Sequence, residues 1–385
     1  MNKIFFLLLS FVGVLSNQSL KAQEDRTNKK GGGYHFKVVK EYKASAVKNQ
    51  NQSSTCWCFS TESFLENEIE RLGKGIVDLS EMYIVRMTYE HKAWNYVRMQ
   101  GKTQFAPGGE PHDVLNTLRI HGIMPQDAYP GKQEKIIHHE VDAVLKAYLD
   151  EVIKLHNGKL SDSWFDGFKG ILDGYFGRVP ETFLHQGKNY TSKEFAKYIG
   201  INPDDYIELT SFNHHAFYKP FILEVPDNWS WGMMQNVTLN ELEEVADNAL
   251  NNGYTVEWAC DVSEKGFSYK NGLAIVPARD WAEMKQDEKD SLFAKPYPER
   301  DISQDIRQQA FDNQSTQDDH GMQLTGIVKD QVGTKYYIVK NSWGTDNNDC
   351  SGYFYCSSAY YRYKTTGIMV HKNAVPKHIL KKLDH

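Results

Sequence analysis

The stretch Gln50-Asn51-Gln52-Ser53-Ser54-Thr55-Cys56-Trp57 gathers residue types that suit a thiol nucleophile. A thiol attacks a carbonyl only as its thiolate, and a helix start lowers its pKa through unpaired N–H groups and aligned peptide dipoles. Ser54 and Thr55 are helix-start residues. From Cys56 to about Leu72, closed by Gly73, the pattern has a helical period, with Trp57, Phe64, Leu65, Ile69 and Leu72 on a wide apolar face. Cys56 is thus expected at a helix N-terminus. Gln50 can return over that start and offer its side-chain amide to a developing oxyanion, with the Cys56 backbone N–H as second donor. An isolated helical cysteine is more often structural. Cys58 lies roughly 200° around the axis from Cys56, so the two cannot share a cleft.

The partners of Cys56 lie near the far end of the chain. His320 stands in Asp318-Asp319-His320-Gly321-Met322 before an apolar strand pattern, and Asn341-Ser342-Trp343-Gly344 follows the next strand. An imidazole accepts a thiol proton when its ring is held in one tautomer. An asparagine oxygen bonded to the other ring nitrogen does this without adding charge. Trp343 is placed to cover that bond from water. Asp318 and Asp319 are candidates for contact with a substrate's amine or side chain, or for a solvated turn. Gly108-Gly109 reads as a turn. His214-His215 invite a metal, but adjacent side chains are expected to diverge, and no carboxylate or cysteine at ligand spacing accompanies them. A loop or cleft wall is the better reading there, and Phe212, Phe217, Tyr218 and Phe221 read as core. No metal is expected, and without a Gly-rich phosphate loop no nucleotide or other cofactor is expected either.

The elements that must position these residues follow from periodicity. Tyr34 to Tyr42 alternates as a strand. Residues 78–130 read as helices broken at Gly108-Gly109 and at Tyr129-Pro130-Gly131. Val141 to Ile153 and Leu239 to Leu250 read as helices, Thr255 to Val262 as a strand. The strongest strand patterns come last, at Met322 to Val328, Tyr336 to Val339 and Gly352 to Cys356. Helices early and strands late predict an α+β enzyme with its site between two halves.

With 385 residues, 40% of them hydrophobic, the chain can bury a sizeable core. A net charge of −6 gives no basic surface for nucleic acid or acidic lipid. Lys377, Lys381 and Lys382 read as a solvated face. Five cysteines leave at least one thiol free, and a Cys350–Cys356 pairing stays open. Lys3 and the apolar run Ile4 to Leu15 read as a signal peptide over residues 1–22, cut after Ala22. The mature chain is therefore expected to be exported, periplasmic or secreted. Residues 23–33, ending in three glycines, read as a flexible linker.

Gln50 with Cys56-Trp57 and Phe59-Ser60 resembles the nucleophile motif of the papain-like cysteine peptidases, and Asn341-Ser342-Trp343-Gly344 resembles their asparagine motif. Leu79-Ser80-Glu81 and the run from Gly122 to Tyr129-Pro130 are similar to further family segments. The resemblance implies a papain-like fold, a helical half and a strand-rich half, over residues 34–385. It implies Cys56, His320, Asn341 and Gln50 as the catalytic set, and Gly108, Gly109, Trp57, Trp343 and Asp319 as substrate-binding. The long spacing from Cys56 to His320 implies a large, mainly helical insertion at about 132–237. This, with Gln-x5-Cys-Trp, resembles the bleomycin hydrolase and bacterial aminopeptidase C branch. An aminopeptidase acting on peptides is then expected. In that branch a C-terminal arm brings its terminal carboxylate to the substrate amine, whereas here a short helix after Pro376 ends at His385. An endopeptidase with an open cleft, or a non-catalytic peptide-binding protein, are the rival readings. The branch includes ring-shaped hexamers, which leaves a homo-oligomer open.

Overall fold

The apolar strand patterns pair into one 12-stranded sheet in a computed structural model that describes residues 26–132, 136–155 and 159–383. The expected signal peptide at 1–22, the first residues of the 23–33 stretch and the terminal His385 lie outside the described residues. Strand His320–Lys329 is central. It pairs antiparallel with Lys335–Lys340 along its length, with Val256–Cys260 at its start and with His35–Glu41 at its end. Tyr353–Ser357 adds beyond Lys335–Lys340, and Thr365–His371 beyond Val256–Cys260.

Helix Cys56–Arg71 lies on one face of this sheet. Gly321 sets how near it comes, because a Cβ there would fall 2.6 Å from Ser60 Oγ. Polar side chains stitch the seam: Ser60 Oγ donates to Glu257 Oε1 at 2.8 Å and Ser63 Oγ to Gln323 Oε1 at 2.6 Å. Helix Leu239–Asn251 covers the other face, packed on Trp258, Met322 and Leu324. The last described residues, through Ile379 and Leu383, join that far-side core.

The second half is helical: Glu81–Arg98, Pro111–His121, His138–Leu155, Ser163–Phe176 and Ser192–Ile199 share one apolar core with the buried face of Cys56–Arg71. Ser80 caps Glu81–Arg98 by accepting from the Tyr83 N–H at 3.1 Å, and its hydroxyl donates to Tyr129 O at 2.5 Å. The Leu79-Ser80-Glu81 and Tyr129-Pro130 motifs thus meet in space. Phe168 is fully buried in this core. Phe168→Ala is expected to cost about 3–5 kcal/mol, the range for truncating a buried phenylalanine, read as a lower midpoint in urea unfolding.

Within 132–237 the helices pack beside the cleft helix, while Tyr206–Thr210, Pro220–Ile222 and Met233–Asn236 extend the main sheet. Phe212 and Phe221 sit in a small core with Leu223 and Met234. The described part of residues 23–33 corrects the reading of a flexible linker. Arg26–Thr27 pairs with His35 and Phe36. Asn28 is fully buried, and its Nδ2 donates to Asn271 O at 2.7 Å and Phe293 O at 3.2 Å. Polar composition misleads here because side-chain-to-backbone bonds, not apolar burial, pin the segment.

Candidate active site

Cys56 is the first residue of its helix, so its N–H belongs to the first turn and has no intrahelical acceptor. Its thiol is half-buried, and the N–H groups of Gly321 and Trp57 lie against the sulfur. Both pull its pKa down, as the helix start was expected to do. Burial is the larger effect, joined by the negative fields of Asp318 and Asp227, and it pushes the thiol up to about 12. Burial and the two aspartates thus oppose the helix start in setting the charge of Cys56.

His320 opens the central strand directly before Gly321. Its Nε2 lies 2.8 Å from Asn341 Oδ1, and that same oxygen accepts the Ser342 N–H at 2.7 Å. The second bond fixes the amide with its oxygen toward the ring, so Nε2 carries the proton and Nδ1 is left as the basic nitrogen. Trp343 stacks on the imidazole at 4.6 Å between ring centroids. Burial holds the ring neutral, down to about 4, against the opposing pull of Asn341.

Gln50 is anchored to the same asparagine segment. Its backbone N–H donates to Ser342 O at 2.8 Å, and Ser342 Oγ donates to Gln50 Oε1 at 2.6 Å. That leaves the amide nitrogen facing away from Ser342. Three distant pieces of sequence therefore converge: Gln50 and Cys56, His320-Gly321, and Asn341 to Trp343.

Gly109 lies against Trp57, the residue after Cys56, and Gly108 against Asp227. A Cβ on Gly109 would fall 2.8 Å from Asp113 Oδ2 and 3.0 Å from the Trp57 ring. Trp57 is buried, with Nε1 donating to Pro107 O at 3.0 Å. It packs against the Gly108-Gly109 segment. Lys92, buried beneath, donates to Ala106 O at 2.6 Å and to Gly108 O, and burial lowers it to about 8.

The two aspartates before the base stand in different settings. Asp319 is exposed and its carboxylate accepts the Val262 and Ser263 N–H groups at 2.8 and 3.1 Å, which turns it away as a loop cap. Asp318 is the one whose field reaches Cys56. Sequence reading missed Glu110, Asp227 and Lys92. Glu110 follows the Gly-Gly pair directly, which is a usable signal; Asp227 lies far away in the chain, and nothing local marks it.

Cys58 is fully buried and its thiol donates to Glu81 O at 3.5 Å, on the helical-half side. All five cysteines are free thiols, so Cys350 and Cys356 do not pair; Cys350 Sγ donates to Asn28 O at 3.0 Å. His214 and His215 do not diverge as expected. Both Nε2 atoms turn onto the Glu224 carboxylate, at 3.0 and 2.8 Å, because residues 214 and 215 occupy a turn that folds back over Phe221. Gln308 then decides the tautomer. Its oxygen accepts the Asn213 N–H at 2.6 Å, so its nitrogen donates to His214 Nδ1 at 3.0 Å. Glu224 supplies a carboxylate at ligand spacing that the sequence did not show, and one of its oxygens and the two histidine nitrogens lie within 4.8 Å of one another.

Residues 179–385 match the model of the peptidase C1-like family. Aminopeptidase G of Lactobacillus delbrueckii subsp. lactis is 24% identical over 380 residues, covering 86% of this chain and 82% of that protein. Aminopeptidase C of Listeria monocytogenes is 22% identical over 397 residues, covering 88% and 83%. The solved structure of PepW from Lactobacillus rhamnosis HN001 superposes with a TM-score of 0.68 at 20% identity, covering 90% of this chain and 84% of that one. The shared fold is papain-like α+β, a helical half against a strand-rich half.

Proposed function

The chain belongs to the peptidase C1-like family, and from that membership we propose that it is a cysteine aminopeptidase acting on peptides through Cys56, His320, Asn341 and Gln50. The observation that carries this is the imidazole fixed by Asn341 at 2.8 Å under Trp343, with the adjacent Gly321 N–H against the Cys56 sulfur. The similarity to proteins named aminopeptidase G and aminopeptidase C supports the exopeptidase form of the reading.

In this mechanism His320 Nδ1 takes the Cys56 proton as the sulfur attacks the scissile carbonyl. The transfer makes an ion pair whose mutual attraction in a sheltered cleft offsets the desolvation of each charge. The carbonyl oxygen becomes an oxyanion that accepts from the Cys56 N–H and the Gln50 amide. The imidazolium gives its proton to the leaving amine, the C–N bond breaks, and the N-terminal part stays as a thioester on Cys56. Water, deprotonated by His320, then hydrolyses the thioester and restores the thiol.

Asn341 acts through His320. Asn341→Ala is expected to lower kcat about 10²-fold, at the low end of what a positioned acid–base group contributes, with KM for an aminoacyl-coumarin little changed. A variant within twofold of wild type would remove Asn341 from the set.

The deciding experiment is hydrolysis of aminoacyl-aminomethylcoumarins beside their N-acetyl forms, under reducing conditions. Hydrolysis of the free-amine forms alone supports an aminopeptidase; hydrolysis of the acetylated forms as well would replace that reading with an open-cleft endopeptidase. We also propose that the enzyme works after export, a reading supported by Lys3 and the apolar run Ile4 to Leu15. Fractionation of cells expressing residues 1–40 fused to a reporter tests it, a cytoplasmic reporter being the contrary result.

A further inference from the structure

Residues 223–232 form a loop laced by the buried Asn228, whose Nδ2 donates to Leu223 O at 3.1 Å and Gly232 O at 2.9 Å. Two further bonds clamp this loop to the start of helix Pro111–His121. Trp229 Nε1 donates to Asp113 Oδ2 at 2.8 Å, and Ser230 Oγ donates to Asp113 Oδ1 at 3.0 Å. The clamp sets the Asp227 carboxylate directly over Gly108, where a Cβ would meet its Oδ2 at 2.1 Å. Gln104 donates to Oδ1 at 2.8 Å. Among the described residues, Oδ2 has no hydrogen-bond donor and no cation lies within ion-pair distance. Lys92, whose charge reaches Asp227, is turned to the carbonyls of Ala106 and Gly108.

Two further carboxyl groups stand behind. Glu110 and Asp318 lie close enough to act on each other, and burial raises the pKa of both; Thr366 Oγ1 donates to Asp318 Oδ1 at 2.9 Å. Glu110 is 2% exposed and its Oε1 has no partner. A buried carboxyl oxygen left without a donor costs free energy unless something arrives to bond it. The fields of Asp227 and Asp318 both reach the Cys56 sulfur, so this acidic end and the nucleophile belong to one electrostatic neighbourhood. An ammonium supplies what these groups lack: three N–H donors and one positive charge in a small volume.

We propose that Asp227, backed by the Glu110–Asp318 pair, receives the free α-ammonium of the peptide substrate and closes the cleft over Gly108 to longer chains. The inference rests on the aminopeptidase reading above and names the residue that enforces it. An N-acylated peptide brings no charge to Asp227, and its acyl group has to occupy the space that the carboxylate fills. Asp227 is a specificity-determining residue here; the bond-breaking steps do not pass through it.

The test compares wild type with Asp227→Asn on an aminoacyl-aminomethylcoumarin and its N-acetyl form. Wild type is expected to favour the free amine by about 10²-fold or more in kcat/KM, the order by which a site with an unmet polar group rejects an analogue lacking its partner. Asn keeps the shape and removes the charge, so most of that preference is expected to vanish, mainly through a higher KM for the free-amine substrate. An undiminished preference in Asp227→Asn overturns the inference and leaves the aminopeptidase reading standing. A wild type that cleaves neither substrate overturns both. Inhibition of wild type by an amino-acid amide and by its N-acetyl derivative gives a readout independent of the variant's folding. Selective inhibition by the free amine is expected, and equal inhibition of the two kinds overturns the inference.

Discussion

Cys56→Ala is expected to lower kcat/KM for aminoacyl substrates by at least about 10⁴-fold, as loss of a covalent nucleophile does, while the melting temperature stays within a few degrees of wild type. The fold should tolerate the change because alanine is a strong helix former and the thiol is only half-buried at the first turn. The paired control is Cys58→Ala. That thiol is fully buried against Glu81 O, on the side of the helix facing the helical half, so its removal should cost some stability and leave turnover per folded molecule unchanged. The reverse pattern, an active Cys56→Ala and an inactive Cys58→Ala, would overturn the assignment of the nucleophile.

The contrast between these two cysteines shows what the sequence made legible. Helical periodicity placed Cys56 at a helix start and put Cys58 about 200° away around the axis, and both statements hold in the structure. The strands that carry His320 and Asn341 were legible because consecutive apolar residues buried on both faces leave a clear run. The electrostatics around Cys56 were only partly legible. The local helix start lowers its pKa, whereas burial and two distant aspartates raise it, and neither can be counted from residues 50–57. The different settings of Asp318 and Asp319 were not legible for a related reason. Two adjacent aspartates look equivalent in sequence, and only the neighbouring strand end at Val262 and Ser263 determines which one is drawn off as a cap. Asp227 was invisible because its position depends on a loop clamp to Asp113, a contact across more than a hundred residues of chain. Residues 26–33 erred in the other direction: flexible by composition, they are held by asparagine and lysine side chains bonded to distant backbone and side-chain oxygens.

Gln50→Ala is expected to lower kcat about 10²- to 10³-fold with little change in KM, the effect of removing one oxyanion donor. A rival explanation needs separating from it. Gln50 also holds Ser342, next to the residue that orients His320, through the 2.6 Å bond from Ser342 Oγ to its Oε1. Loss of that anchor alone could slow the reaction by loosening Asn341. Gln50→Glu distinguishes the two roles. Glutamate keeps the length and an acceptor for Ser342 Oγ, so the anchor survives, but it has no N–H to offer and brings a negative charge toward the developing oxyanion. If Gln50 works as a donor, Gln50→Glu should be at least as damaged as Gln50→Ala. If it works as an anchor, Gln50→Glu should stay near wild type, and Ser342→Ala should reproduce the loss seen in Gln50→Ala. Steady-state kcat for these three variants on one aminoacyl substrate decides between the roles, and the donor role requires the order wild type, Ser342→Ala, Gln50→Ala, with Gln50→Glu equal to or below the last.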